Sequence, residues 1–258
     1  RSRKWNEKEK MWMGWERKRG KLLEFNSLLL NEGETSYIVK SGNLKLLKNI
    51  KYVITLDSDT ILPRGTAVRL IGTIAHPMQR AIIDEENNKV VGGYGIIQPR
   101  ISITASSAFS TPFATLFSGR AGIDPYTCAI SDIYQDLFGE GIFTGKGIYD
   151  LNVFQKIVKN RFPENTILSH DLLEGIFTRT ALATDLQLFD GYPMKYISYV
   201  RRIHRWIRGD WQIARYILYS RIALISRWKI IDNLRRSLEA PSQLLLLFLA
   251  FTLFNDIY

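Results

Sequence analysis

At 258 residues the chain suits one large domain or two small ones, and 46% apolar with 23% charged residues excludes a largely disordered polypeptide. A single cysteine, Cys128, excludes an internal disulfide framework and a cysteine-based zinc site, and reads as a small apolar residue in a packed segment. The net charge of +10 points to an anionic partner (nucleic acid, a phosphorylated small molecule or an anionic membrane face), and it is concentrated in Arg1–Lys21 and in the ten basic residues of Arg201–Arg236.

In chain order, Glu16–Leu30 has the pattern of a basic-headed amphipathic helix, and a turn follows at "EGETS". Lys51–Leu56 is a predicted strand that runs into Asp57-Ser58-Asp59. Gly65–Ala75 has helical periodicity and ends near His76-Pro77. "DEENNK" is a solvated turn, and "VVGGYGIIQPRISI" reads as one strand whose glycines allow a bulge. Ala105–Leu137 is mostly helical and broken at Asp124-Pro125, while Gly139–Asp150 is too irregular for either regular element. A helix over Asn152–Asn160, an apolar helical pattern starting at Asp171, a strand in "TDLQLFDGYP" and a basic aromatic run over Tyr199–Trp228 complete the body.

Leu244–Phe254 is almost unbroken hydrocarbon, too short to cross a bilayer, which needs about 20 residues. With Pro241 at its start and the basic "RWKIIDNLRR" before it, the order suits a cytoplasmic flank followed by the start of a truncated transmembrane helix; the alternative is a buried helix of a soluble core. The expected organisation is thus residues 1–236 as one domain and 237–258 as the start of that helix. Strands alternating with helices predict an α/β fold with a mostly parallel sheet and flanking helices. In such sheets chemistry gathers beyond the C-terminal ends of the strands, where Asp57 and Asp59 sit.

Two like charges at a strand end have three chemical readings. A calcium loop of the EF-hand kind needs glycine where Leu62 stands. An aspartyl-phosphate phosphatase needs a threonine where Ile61 stands. The third is a Mg2+ or Mn2+ held by the two carboxylates against a nucleotide diphosphate. Beside all three stands the plain alternative of one aspartate capping a helix and the other solvated. Downstream, Asp171 opens an apolar helix in "ILSHDLLEG", and "RRIHRWIRGDW" gathers Arg201, Arg202, His204, Arg205, Arg208, Trp206 and Trp211. Guanidinium groups suit a diphosphate, and indole faces suit the C–H faces of a sugar. A solvated basic helix near a membrane would carry the same residues, but the three motifs in this order favour the metal–nucleotide reading.

The order Asp57-Ser58-Asp59, Ser169-His170-Asp171 and Arg202-Ile203-His204-Arg205-Trp206 resembles the hallmarks of processive family 2-like glycosyltransferases. His170 stands where those enzymes usually carry glutamate, and Arg202 where they carry glutamine. Both departures narrow the resemblance to the glycosyltransferase region of cyclic β-1,2-glucan synthases. The phrases "WMGWERKRGKLLEFN", "GYGIIQPRIS", "GIDPYTCAISDIYQDLFGEGIFTGKGIYD", "RFPENTILSHDLLEG" and "RRIHRWIRGDWQIA" are similar to that family over nearly the whole chain.

The resemblance implies a GT-A-like, Rossmann-like fold, N-terminally truncated because an early uridine-binding strand lies upstream of Arg1. It implies an inverting, UDP-glucose-dependent transferase acting on a glucan acceptor, within a larger multidomain polypeptide at the cytoplasmic face of a bacterial inner membrane. The implied roles are Asp171 as general base, Asp59 with Asp57 on Mg2+ or Mn2+, Arg205 on the diphosphate and Trp206 on the acceptor sugar. Arg202, Gln98 and Arg100 are further candidates for the donor site, Gly145 and Gly147 for close backbone approach, and His204 for phosphate contact. Two other readings remain: a basic aromatic nucleic-acid-binding module, disfavoured because no nucleic-acid motif is present, and another membrane-bound processive β-glycan synthase.

Overall fold

The computed structural model describes residues 1–119 and 132–253. Cys128, the Asp124-Pro125 break and the apolar tract from Phe254 onward lie outside the described residues.

A short hairpin of β1 (Lys4–Asn6) and β2 (Met11–Met13) leads into helix α1 (Arg17–Leu30). Then come β3 (Tyr52–Thr55), α2 (Thr66–Ala75), a second hairpin of β4 (Ile82–Asp84) and β5 (Lys89–Gly92), and the longer β6 (Ile96–Ile103). Short helices α3 (Ala105–Ala108), α4 (Pro112–Phe117) and α5 (Ile133–Phe138) precede β7 (Gly147–Asp150), α6 (Leu151–Val158), α7 (Asp171–Thr178) and β8 (Thr180–Asp190). Helix α8 (Tyr196–Ile213), a 3-10 segment at Ala214–Leu218 and helix α9 (Leu224–Leu253) follow.

The central sheet has the order β3-β7-β6-β8. Strands β3, β6 and β8 point the same way, but β7 is inserted antiparallel between β3 and β6, so only β6 and β8 form a parallel pair. The sheet is therefore mixed, not mostly parallel as expected. β7 lies inside the glycine-rich stretch read as irregular; its four residues are too few to display a period in the sequence. The single strand expected over Val90–Ile103 is also two: β5 and β6 belong to different sheets. Gly93 separates them at φ +59, with no room for a Cβ against the Arg80 carbonyl.

Registers explain how the sheet holds its layers. Val53, Tyr149 and Ile96 form one row across three strands, and Ile54, Ile148 and Ile97 form the next. Successive side chains on a strand point to opposite faces. The first row packs into the large core with α1, α6 and α7, and the second packs with Leu70 and Ile74 of α2. A slip of one residue would exchange the two rows, so burial on both faces fixes the register. Each such fully buried side chain is worth about 1.5–3 kcal/mol relative to exposure.

Among the described residues no helix is long and apolar enough to cross a membrane. The leucine run expected to begin a membrane helix forms the last turns of α9, which continues through Pro241. Ser226, Lys229, Ile230 and Leu234 make the buried stripe of α9, whereas the helix is exposed from Leu238 to Thr252.

Candidate active site

Because β3, β6 and β8 run in one direction, the ends of β3 and β8 meet the start of antiparallel β7 at one edge of the sheet. That edge gathers Asp57 and Asp59 after β3, Lys146 just before β7, and Asp190 at the end of β8. The Thr60 hydroxyl ties the first loop to the last strand: it accepts from the Asp57 amide (3.3 Å) and donates to Asp190 Oδ1 (2.6 Å). Ile61 pairs with Phe189 through two backbone hydrogen bonds of 2.7 and 3.1 Å. The residue that excluded a phosphatase is thus a sheet contact.

Lys146 Nζ bridges Asp190 Oδ2 at 2.7 Å and Asp57 Oδ2 at 3.2 Å, and Lys18 Nζ of α1 reaches Asp57 Oδ1 at 2.6 Å. Burial raises the Asp57 carboxyl, but the Lys146 and Lys18 ammonium groups more than offset it and hold it below the usual carboxylate range. Burial likewise lowers Lys146, and Asp190 and Asp57 reverse that, leaving it above its ordinary value. Asp59 differs from Asp57: it is more exposed, and its ion pair with Arg202 is long at 3.8 Å. Of the two aspartates, Asp59 is the one with a carboxylate left for a cation.

Asp171 opens α7, where a carboxylate complements the positive end of the helix dipole. The loop before β7 passes close to it. Gly145 has φ +84, its carbonyl accepts from Lys18 Nζ (2.9 Å) and Thr55 Oγ1 (3.2 Å), and a Cβ added to it would lie 2.7 Å from Asp171 Oδ1. The absence of a side chain at Gly145 is what lets the loop abut this carboxylate. Gly147 pairs with Thr55 at the start of β7.

Helix α8 is docked on the segment before Asp171. Gln212 Oε1 accepts from the Leu168 amide at 2.7 Å, and Gly209 faces Ser169 so closely that an added Cβ would lie 2.5 Å from Ser169 Cβ. Gly209→Ala is expected to push α8 off this segment at a cost of about 1–3 kcal/mol. Thermal unfolding of the variant beside the unaltered chain measures the loss.

Asp57, Asp171, Arg205 and Trp206 all line one cavity of about 710 Å3, within the size range of ligand sites. No hydrogen bond or ion pair among the described residues engages Arg205. The Arg236 guanidinium lies 5.2 Å from the centre of the Trp206 ring. The remaining candidates stand elsewhere. Asp59 and Arg202 pair with each other outside the cavity lining. Gln98 is fully buried: Oε1 accepts from the Thr144 amide (3.0 Å) and hydroxyl (3.2 Å), and Nε2 donates to the Pro99 carbonyl, so it holds the loop before β7. Arg100, next to the irregularity in the β6–β8 pairing, and exposed His204 also lie off the cavity lining.

Four cavity residues escaped the sequence reading. Lys18 is one cation in a basic run and carried no signal. Lys146 in "GKG" and Asp190 in "FDG" are charges beside glycine at a loop and at a strand end, where such pairs can be found. Asp210, on α8, is buried, and Arg236 approaches it only to 3.9 Å. Burial pushes its carboxyl up to about 6, with Arg236 opposing.

No family model matches the chain. It is 46% identical over 242 residues to the cyclic beta-(1,2)-glucan synthase NdvB of Rhizobium meliloti (strain 1021), a match that covers 92% of this chain and 8% of that protein. The resemblance carried by the motifs is thereby shown, and the chain spans about one-twelfth of the length of the relative it matches.

Proposed function

We propose, from the chain's kinship with a segment of a cyclic beta-(1,2)-glucan synthase, that it is the sugar-transferring part of such an enzyme. The reading is an inverting transferase of GT-A type that moves glucose from UDP-glucose to the 2-hydroxyl of a growing β-1,2-glucan. The observation that carries it is the convergence of Asp171, Arg205, Trp206 and Asp57 on one cavity.

Asp171 lines the cavity with its side chain 31% exposed while Oδ1 is buried, so Oδ2 is the oxygen that an acceptor hydroxyl can reach. As the acceptor oxygen attacks the anomeric carbon, its proton passes to Asp171, and the bond to the β-phosphate breaks with its electron pair leaving on UDP. Opposite faces for attack and departure turn an α-linked donor into a β-linked product. Arg205, which no hydrogen bond or ion pair among the described residues engages, would stabilise the departing diphosphate. Trp206 offers a flat apolar surface that holds a sugar ring without fixing its register.

For a hard cation, Asp59 at the cavity's margin is the carboxylate that would hold Mg2+ or Mn2+, Asp57 being restrained by its two lysines. Such an ion neutralises charge on the leaving diphosphate. The exposed apolar end of α9 is the part that would meet the bilayer, at the cytoplasmic face of a bacterial inner membrane.

Thermal unfolding with UDP-glucose, with and without Mn2+, tests the reading. At a hundredfold excess over Kd, bound ligand stabilises the fold by about 2.7 kcal/mol. The expected stabilisation requires both nucleotide sugar and metal, and Asp59→Asn removes the metal dependence. Stabilisation by a single-stranded oligonucleotide, with none by UDP-glucose and Mn2+, overturns it in favour of a nucleic-acid partner.

A further inference from the structure

His170 has no part in the chemistry above, yet it adjoins Asp171 and departs from the glutamate of the enzymes the chain resembles. It stands just before α7 without a side-chain cap bond, is almost completely buried, and directs Nδ1 at two carboxylates: Glu174 Oε1 at 2.9 Å and Asp171 Oδ1 at 3.5 Å. Glu174 lies one turn along the helix and is 1% exposed. Among the described residues neither of its oxygens receives a hydrogen bond, and Nδ1 meets Oε1 off the axis of one, so charge more than a directed bond joins the two.

Two carboxylates on one helical turn, one of them wholly buried, need a cation nearby. An uncompensated buried charge destabilises a fold by several kcal/mol. Besides Asp171 and Glu174, the charge that faces His170 is Arg19 of α1, whose guanidinium is committed to Glu16 and the Phe162 and Pro163 carbonyls. On the cavity side, Asp171 shares its lining with Lys146 and Arg205. That leaves the imidazole to neutralise Glu174. Burial lowers the imidazole's proton affinity, but Glu174 and Asp171 outweigh it and hold its pKa above the ordinary value. His170, Asp171 and Glu174 also offer one metal-ligand atom each within 4.8 Å of one another. Nδ1 and Oε1 stand at ion-pair spacing, closer than the about 3.3–3.5 Å between ligands of one tetrahedral ion.

We propose that His170 and Glu174 form a buried charge pair that positions Asp171 for proton abstraction: Glu174 keeps the imidazole cationic and in place, and the imidazolium keeps Asp171 ionised beneath the acceptor. Both are positioning residues, and the proposal rests on Asp171 being the base. A base that works as a carboxylate must stay deprotonated between turnovers, and without the pair a second buried anion would oppose its ionisation.

The test is the pH dependence of kcat for glucosyl transfer in the polypeptide that naturally carries this sequence. His170→Gln keeps a hydrogen-bond donor and removes the charge. It is expected to move the acid limb of the profile up by about one unit, close to a tenfold loss at pH values below the limb, with KM for UDP-glucose unchanged. His170→Gln with Glu174→Gln removes both charges and should return the limb toward the native position. An unmoved limb in His170→Gln, with only a lower melting temperature, overturns the proposal. Histidine 15N shifts of the unaltered chain, which has three histidines, give a readout that needs no variant. His170 should be an imidazolium at neutral pH, and a neutral ring there refutes the pair. Asp171→Asn separates the two readings: if that variant is inactive while the limb of His170→Gln is unmoved, only the pair fails. If Asp171→Asn keeps full activity, the base assignment itself fails.

Discussion

Asp171→Asn is expected to lower glucosyl transfer by about 10²–10⁴-fold, the usual contribution of a positioned general base, while UDP-glucose binding with metal is retained. Asparagine matches aspartate in shape and leaves the face that abuts Gly145 unchanged. What disappears is the basic lone pair. The exchange also removes one of the two carboxylates beside His170, so stability should change little: the lost dipole interaction at the start of α7 is worth about 0.3–1 kcal/mol. Transfer of radiolabelled glucose into polymer, beside a calorimetric titration of UDP-glucose with Mn2+, reads both quantities. Near-normal transfer by the variant would sink the base assignment.

Lys146→Met should destabilise the fold more than other single changes at the sheet edge. The side chain bridges Asp57 and the almost fully buried Asp190, and Met keeps the length of the stem while removing the charge. Breaking a buried pair by deleting one partner costs about 3–5 kcal/mol, because the other charge stays behind without compensation. Urea unfolding at neutral pH measures the loss. The sign with pH follows from the two shifts. Asp57 titrates below its ordinary value, so its contribution is present above about pH 4 and fades as pH falls below that. Lys146 titrates above its ordinary value, so its contribution is full below about pH 10.4 and fades only as pH rises past that. The difference between native and Lys146→Met proteins should therefore be broad across the neutral range and shrink in acid. Restoring stability with Lys146→Met and Asp190→Asn together would tie the cost to the stranded carboxylate.

The sequence made the ends of strands and helices legible where hydrophobic periodicity was long enough to see. α1, α2, α6, α7 and β3 stand within a few residues of their expected positions. β7 was hidden by its length and its glycines, and the mixed character of the sheet follows from where that one strand inserts. Composition cannot reveal strand order, because it is set by pairing across long separations. That Asp171, Arg205 and Trp206 are candidates was readable because each sits in a local phrase whose chemistry is unusual, and all three line the cavity. Lys146 and Asp190 became partners only through the meeting of β7 and β8 at one edge, a contact between residues 44 apart. Gln98 shows the opposite case: a polar residue in a glycine-rich, apolar stretch looks like a ligand contact, and in the fold its amide is tied to Thr144.

Pro241 gives α9 a mechanical character. Its nitrogen carries no proton, so the backbone carbonyl of Ser237, one turn back, loses its helical donor, while the Ser237 hydroxyl is held by Trp211 Nε1 at 3.0 Å. The joint lies where α8 last grips α9. Before it, Asn233 and Arg236 form part of the cavity wall; beyond it, about 15 Å of helix extends to Phe251, exposed among the described residues. A helix that loses this hydrogen bond bends most easily there, so a tilt of the outer arm would leave the cavity wall in place.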